Sequence, residues 1–199
     1  MLGFLWFSHS PHRNSSPHTP AARNDLGALK RKPSDLRRYL EWSAATKAQY
    51  GSIMNYICQR RLQWPLPGSA GMASGTTFKN PRPFADPEDY RILRNDWPYG
   101  LGPGIAHLVV WSRTPIPVSS DEGHLTEESR ALIDGFVKKT FVGRLASDAG
   151  KRFVKPEDQV LWFKNWVGLQ SVRALEHVHI LVRDVPEEIL AEWSGETRP

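Results

Sequence analysis

The segment Glu176–Arg183 constrains the fold more than any other part of the sequence. Its side chains alternate in character, and successive side chains of a β-strand point to opposite faces of a sheet. Val178, Ile180 and Val182 are therefore expected to face a core. The opposite, open face is expected to carry His177, His179, Leu181 and Arg183. Its two imidazoles would lie about 6 to 7 Å apart along the strand.

The rest of the chain predicts helices and further strands. Helical segments are expected after Pro33 with Ser34 as N-cap, after Ser52, and from Thr126 to about Leu145. Strands are expected near 90–93, at 105–111 and at 159–165, and a short helix begins at Pro186. This order predicts an α+β fold, with a mostly antiparallel sheet, flanking helices and a helical N-terminal segment before it.

The 199 residues are enough for one globular domain and a tail. Residues 8–24 are polar and rich in Pro and Ser, so we expect residues 1–32 to form a disordered tail. Residues 33–199 are expected to form a single α+β domain. Within it we expect a helical lead-in at 33–63, a long loop at 64–89, the sheet core at 90–185, and a short helix and tail at 186–199.

Charge and apolar runs exclude several classes of protein. The net charge of +5 arises from residues 1–63, which carry ten Lys or Arg against three Asp or Glu. No motif of a nucleic-acid-binding module accompanies this charge, so we expect no nucleic acid partner. No run approaches the roughly 20 apolar residues of a membrane span. The lone Cys58 fits a reducing compartment, so we expect a cytoplasmic protein, with a mitochondrial presequence as the alternative.

The histidines are the main candidates for chemistry. His177 and His179 could bind phosphate or relay protons, and His107 would join them if its strand is a neighbour. A metal site is disfavoured, because the only carboxylate beside the pair, Glu176, should point to the other face. We therefore expect neither a metal nor a cofactor. The alternative is that these are surface histidines with no chemical role.

Polar residues beyond the strand at 159–165 provide candidate phosphate ligands. Asn165, Gln170 and Ser171 follow apolar residues at a point where short side chains and backbone amides can hold a phosphate. Trp97 lies in the turn Asn95–Gly100 and is the best candidate for an exposed ring that stacks on a ligand. The alternative for Asn165, Gln170 and Ser171 is that they form an ordinary turn between strands and hold no ligand.

Several blocks resemble the N-acetylglucosamine-induced protein 1-like family, whose known members are mainly fungal. The resemblance covers about Leu36 to Arg183 and is strongest at 41–42, 47–53, 84–87, 95–100, 107–113, 161–167 and 171–179. It implies a setting in amino-sugar uptake or use. It does not establish a substrate.

The layout also resembles the histidine-triad fold of nucleotide hydrolases and transferases. The similar features are a Pro-Tyr turn before His107, a capped helix, Asn165, a Gln-Ser-Val run and the pair His177 and His179. The resemblance implies that His179 attacks phosphorus while His177 contacts the phosphate. The third triad position is Leu181 or, in the other frame, Leu175, the glycine spacing differs, and three extra residues precede His177.

Two functional hypotheses follow. In the first, the protein binds, hydrolyses or transfers a phosphorylated small molecule such as a nucleotide or sugar nucleotide. His179 and His177 are then catalytic, Asn165, Gln170 and Ser171 hold phosphate, and His107 and Trp97 contact the substrate. In the second, it is a non-enzymatic interaction or regulatory protein linked to the response to amino sugars.

Overall fold

The fold is built on a four-stranded antiparallel sheet. The computed structural model describes residues 32–66, 78–119, 124–165, 172 and 175–197. The strands are β1 (Tyr90–Arg94), β2 (Ile105–Ser112), β3 (Val160–Phe163) and β4 (Glu176–Arg183), in the spatial order β1-β2-β4-β3. The prediction of an α+β fold with an antiparallel sheet is confirmed. Residues 1–31 of the predicted tail and residues 67–77 of the predicted loop lie outside the described residues.

Five α-helices surround the sheet in the part of the chain that is described. They are α1 (Pro33–Tyr50), α2 (Ile53–Tyr56), α3 (Glu127–Val137), α4 (Gly143–Ala146) and α5 (Glu187–Ser194). Wider π-helical turns continue α2 through Ile57–Leu62 and join α3 to α4 through Lys138–Val142. None of the described helices is long and apolar enough to cross a membrane.

Two of the three predicted helix caps are confirmed. The hydroxyl of Ser52 accepts a hydrogen bond from the Asn55 backbone N–H at 3.0 Å, and Thr126 caps α3 through the Ser129 N–H at 3.1 Å. The prediction of Ser34 as an N-cap is wrong, because α1 begins one residue earlier with Pro33 in its first turn. Proline fits there because the first helical N–H has no partner within the helix.

One face of the sheet packs against α3 and α5. Val178, Ile180 and Val182 of β4 lie in this core, as their alternation predicts. The other buried members of the core are Leu108, Val110, Ile116, Ile133, Val137, Phe141 and Leu190. This is the ordinary arrangement in which the apolar stripe of a helix covers an apolar sheet face.

The histidine face of the sheet is covered as well, so the prediction of an open face is wrong. Val109 and Trp111 of β2 and Leu93 of β1 form a second core on this side. The residues that cover them come from α2, from the turn after it and from two positions before β4, and they are Ile53, Cys58, Leu62, Trp64, Val172 and Leu175. The helical N-terminal segment thus buries the sheet face that the alternation of side chains along β4 predicts to be open.

Candidate functional site

Three histidines lie side by side on the sheet face that is covered by α2 and the turn after it, which we call the second face. His177 and His179 belong to β4 and His107 to β2, and their exposed fractions are 4%, 7% and 5%. Cross-strand pairing places Val109 opposite His179 and Trp111 opposite His177. The three imidazoles are therefore parts of a packed interior, and the alternative of surface histidines is wrong. Arg183, which shares their row, is only partly buried and bonds to Gln159.

His179 is held through both of its ring nitrogens. Its Nδ1 lies 3.0 Å from Nε2 of His107, and its Nε2 lies 3.2 Å from Nδ2 of Asn165. The ring of Phe163 stacks on it with centroids 4.8 Å apart. Because the Asn165 amide nitrogen donates, this arrangement leaves the proton of His179 on Nδ1, where it points at His107. The structure thus brings together His107, His179 and Asn165.

Asn95 and Tyr99 complete the surroundings of His107. The Asn95 side-chain nitrogen lies 3.2 and 3.3 Å from the two ring nitrogens of His107, and the Asn95 backbone N–H donates to the His107 carbonyl at 2.9 Å. The ring of Tyr99 stacks on His107 with centroids 5.5 Å apart. The turn before β2 therefore packs directly against the histidine pair.

His177 differs from His179 in its bonding. Its Nδ1 lies 2.9 Å from the carbonyl oxygen of Leu175, which can only accept, so Nδ1 carries the proton. Within the described residues, no hydrogen bond of Nε2 is seen. Burial lowers the pKa of His177 to about 4, the Leu175 carbonyl acts in the opposite direction, and the Lys164 ammonium lowers the pKa further. The imidazole is therefore neutral at pH 7.

A cavity of about 90 Å³ opens beside these residues. Its walls include His177, His179 and Asn165 from the sheet side and Trp97 from the turn, and the opposite wall includes Trp42 of α1. A cavity needs roughly 10 to 15 Å³ to hold one water molecule, so this one has room for a phosphate-sized group. The sequence-predicted residues His177, His179, Asn165 and Trp97 thus line one cavity, whereas His107 lies behind His179.

Aromatic rings form the outer wall of the cavity. Trp42 and Trp97 have centroids 5.3 Å apart, and Tyr39 lies 5.7 Å from Trp97 and 6.0 Å from Trp42. Tyr56 packs edge-on against Trp42 at 5.5 Å. This aromatic wall, which we define as Tyr39, Trp42 and Trp97, offers apolar ring surface to the sugar or base of a ligand. Tyr56 does not line the cavity and contacts the wall only through Trp42.

The charged residues near the site are paired. Arg61 lines the cavity and forms an ion pair with Asp96. The buried Lys164 lies 3.0 Å from the carboxylate of Glu176. The Glu176 carboxylate therefore forms an ion pair with Lys164 and does not face the histidines. No group of three His, Cys, Asp or Glu that could hold a metal is present among the residues that the structure covers.

Two predicted phosphate ligands, Gln170 and Ser171, lie outside the described residues. Sequence reasoning assigned no role to Asn95, Tyr99, Trp42 or Arg61, which the structure places around the histidines or the cavity. For Asn95 and Tyr99, the sequence signal was the polar and aromatic turn Asn95–Gly100. Trp42 and Arg61 gave no signal, because only the packing of the N-terminal helices brings them to the sheet.

Comparisons with known proteins agree with this architecture. Residues 18–183 match a family model described as "Protein of unknown function (DUF3605)". N-acetylglucosamine-induced protein 1 of Candida albicans is 37% identical over 119 residues, which are 57% of this chain and 43% of that protein. The chain therefore spans less than half the length of this relative. Uncharacterized protein YPL067C of Saccharomyces cerevisiae is 30% identical over 170 residues, 84% of this chain and 77% of that protein.

A solved structure has a similar fold. The structure titled "Crystal Structure of HTC1" has a TM-score of 0.59 and 27% sequence identity, and the match covers 87% of this chain and 86% of that one. The shared architecture extends over most of both chains.

Proposed function

The chain belongs to the DUF3605 family, the family of N-acetylglucosamine-induced protein 1, and for this member we propose binding and turnover of a phosphorylated small molecule at the histidine cavity. The observation that carries the proposal is the bonding of His177. Its proton is fixed on Nδ1 by the Leu175 carbonyl, its pKa of about 4 keeps it neutral, and the ring lines a cavity. A neutral imidazole with a lone pair on Nε2 is a nucleophile or a general base.

A neutral imidazole of this kind is suited to attack a phosphorus atom. The Nε2 lone pair of His177 forms a nitrogen–phosphorus bond while the bond from phosphorus to the leaving oxygen breaks, and the leaving oxygen takes the electron pair and then a proton. Water next attacks phosphorus and forms a new phosphorus–oxygen bond while the nitrogen–phosphorus bond breaks and returns its electron pair to Nε2. The attacking water gives up a proton to solvent, which also supplies the proton taken by the leaving oxygen. The bond from Nδ1–H to the Leu175 carbonyl stabilises the positive charge that the ring carries in between.

His179 and Asn165 are then the residues beside the phosphate oxygens. Both nitrogens of His179 already contact protein groups, so His179 is poorly suited to act as a nucleophile. Its Nε2 holds the Asn165 amide, which is the donor for a phosphate oxygen. The sequence led us to expect His179 as the nucleophile. We instead assign that role to His177, with Leu175 at the first position of the triad-like frame and His179 at the third.

Charge favours a particular class of phosphate. His177 is neutral, and the cavity-lining cations are paired with carboxylates, Arg61 with Asp96 and Arg94 with Glu187. A phosphorus with a single negative charge, as in a phosphodiester or a nucleoside diphosphate sugar, is therefore easier to accommodate than a dianionic phosphomonoester. The aromatic wall offers ring surface for the remainder of such a ligand. A nucleotide or sugar nucleotide is the ligand class that the site suits best.

A second candidate function is non-enzymatic. The contacts among Asn95, His107, His179 and Asn165 also stabilise the packing of the second face, as a purely structural polar network would. In that case the protein is an interaction or regulatory protein in the response to amino sugars, and its histidines can be replaced without loss of function.

We expect a ligand of the proposed class to stabilise the protein in a way that depends on His177. The probe is UDP-N-acetylglucosamine, with AMP and glucosamine 6-phosphate as the dianionic phosphomonoester comparisons, tested by thermal unfolding. At 100 times its dissociation constant a ligand adds about 2.7 kcal/mol of apparent stability. His177→Phe should lose this gain, since phenylalanine fills the same space without a nitrogen.

The matched control is His124→Gln, which changes an exposed histidine far from the cavity and should leave the gain intact. Equal stabilisation of His177→Phe and wild type would exclude the cavity as the binding site. No stabilisation of the wild type by any probe would favour the non-enzymatic function.

A further inference from the structure

Arg61 joins three separate parts of the chain at the wall of the cavity. It belongs to the π-helical turns Ile57–Leu62, and its side chain is largely buried. The guanidinium forms ion pairs with Asp96 and with Glu196, at 2.7 Å for the latter, and donates to the Arg94 carbonyl at 3.3 Å. These partners come from the turn after β1, the segment after α5, and the end of β1.

The residues that Arg61 holds lie on both sides of Asn95. Asn95 contacts both ring nitrogens of His107, and its Oδ1 accepts from the Trp97 N–H at 2.9 Å. The Asn95 backbone N–H donates to the His107 carbonyl. A displacement of the Arg94 carbonyl or the Asp96 carboxylate would therefore move Asn95, and with it the side-chain contact to His107.

Glu196 fixes Arg61 from the other side. It follows Gly195, whose φ of 66° allows α5 to end sharply and the chain to turn back. One carboxylate oxygen binds Arg61, and the other accepts from the Arg94 backbone N–H at 2.8 Å. The carboxylate thus bridges the guanidinium and the end of β1, which limits the ways in which Arg61 can orient.

We propose that Arg61, held by Glu196, is a positioning residue that sets the orientation of Asn95 and thereby the proton arrangement of the His107–His179 pair. His107 accepts the hydrogen bond of His179 Nδ1–H only while its Nε2 faces that atom, and the Asn95 side-chain nitrogen lies within 3.3 Å of both ring nitrogens of His107. Because Arg61 contacts the residues on both sides of Asn95, its contacts fix the position of that residue. Its functional value rests on the proposed function, but its effect on the imidazoles can be measured without a ligand.

The test uses long-range ¹H–¹⁵N spectra of the histidine side chains in the full chain. In the wild type we expect one set of signals for His107 and His179, with His179 protonated at Nδ1. Arg61→Lys keeps the positive charge but loses the planar guanidinium with its several N–H donors. The ¹⁵N chemical shifts of His107 and His179 should then move towards the values of a mixture of tautomers. Glu196→Gln, a milder change, should cause a smaller shift of the same signals.

Two internal references make the result decisive. His177 is fixed by the Leu175 carbonyl and should keep its signals in both variants. Glu188→Gln removes another arginine–glutamate pair of α5, that with Arg152, and should leave all three histidines unchanged. If the melting temperature of Arg61→Lys and Glu196→Gln falls while the His107 and His179 signals stay in place, Arg61 only stabilises the fold and the proposal is wrong. A loss of ligand binding in His177→Phe would not bear on that result.

Discussion

Acidification from pH 6.5 to 4 is expected to remove about 3 kcal/mol from the free energy of unfolding through His177 alone. Its pKa is about 4 in the folded protein and about 6.5 in the unfolded chain. Between these values the unfolded chain takes up a proton that the folded protein does not, so stability falls as the pH falls. The difference of about 2.5 units corresponds to about 3 kcal/mol, since each unit is worth 1.36 kcal/mol.

Urea unfolding at a series of pH values measures this effect. Two carboxyls outside the cavity, Asp148 and Glu188, also have lowered pKa values because Arg152 binds them, and their contribution is lost only below about pH 4.5. The decisive quantity is therefore the difference between wild type and His177→Phe, which should lack the loss between pH 6.5 and 4. The His124→Gln control should retain it. Parallel curves for wild type and His177→Phe would contradict the neutral buried imidazole.

Trp111→Ala is expected to destabilise the protein by about 3 to 5 kcal/mol at pH 7. Trp111 is buried on the second face, opposite His177 in the sheet, and its ring lies 4.8 Å from the imidazole. Its removal leaves a cavity and admits water to His177. Because burial is the main cause of the lowered pKa, that pKa should return towards 6.5, and the loss of stability between pH 6.5 and 4 should shrink.

The matched variant is Trp111→Phe, which keeps an aromatic ring beside His177. We expect a smaller loss of stability and an almost unchanged pH dependence. Denaturant titration at pH 7 and pH 5 distinguishes the two variants. A cost below about 1 kcal/mol for Trp111→Ala would show that the second face is loosely packed, contrary to the structure.

The sequence predicts the elements well but not the way in which the second face is covered. The strand Glu176–Arg183 and the caps at Ser52 and Thr126 follow from local chemistry, which acts within a few residues. The burial of His177 depends on α2 and the turn after it, about 120 residues earlier in the chain. No local pattern states which helix packs on which face of a sheet.

The same limit applies to the choice between the two imidazoles. His177 and His179 look equivalent in the sequence, because both lie on one face of one strand. They differ because the Leu175 carbonyl meets Nδ1 of His177, whereas His107 meets Nδ1 of His179. The contact of Arg61 with Glu196 spans 135 residues and is equally inaccessible to sequence reasoning.

The role proposed for His177 is tested most directly by the ¹⁵N spectrum of its imidazole at pH 7, recorded without and with saturating UDP-N-acetylglucosamine. The account predicts a protonated Nδ1 and an unprotonated Nε2 in the free protein. It further predicts that a bound ligand moves the Nε2 signal more than any other imidazole nitrogen. A protonated Nε2 in the free protein, or an Nε2 signal that stays in place while the ligand binds, would contradict the role proposed for His177.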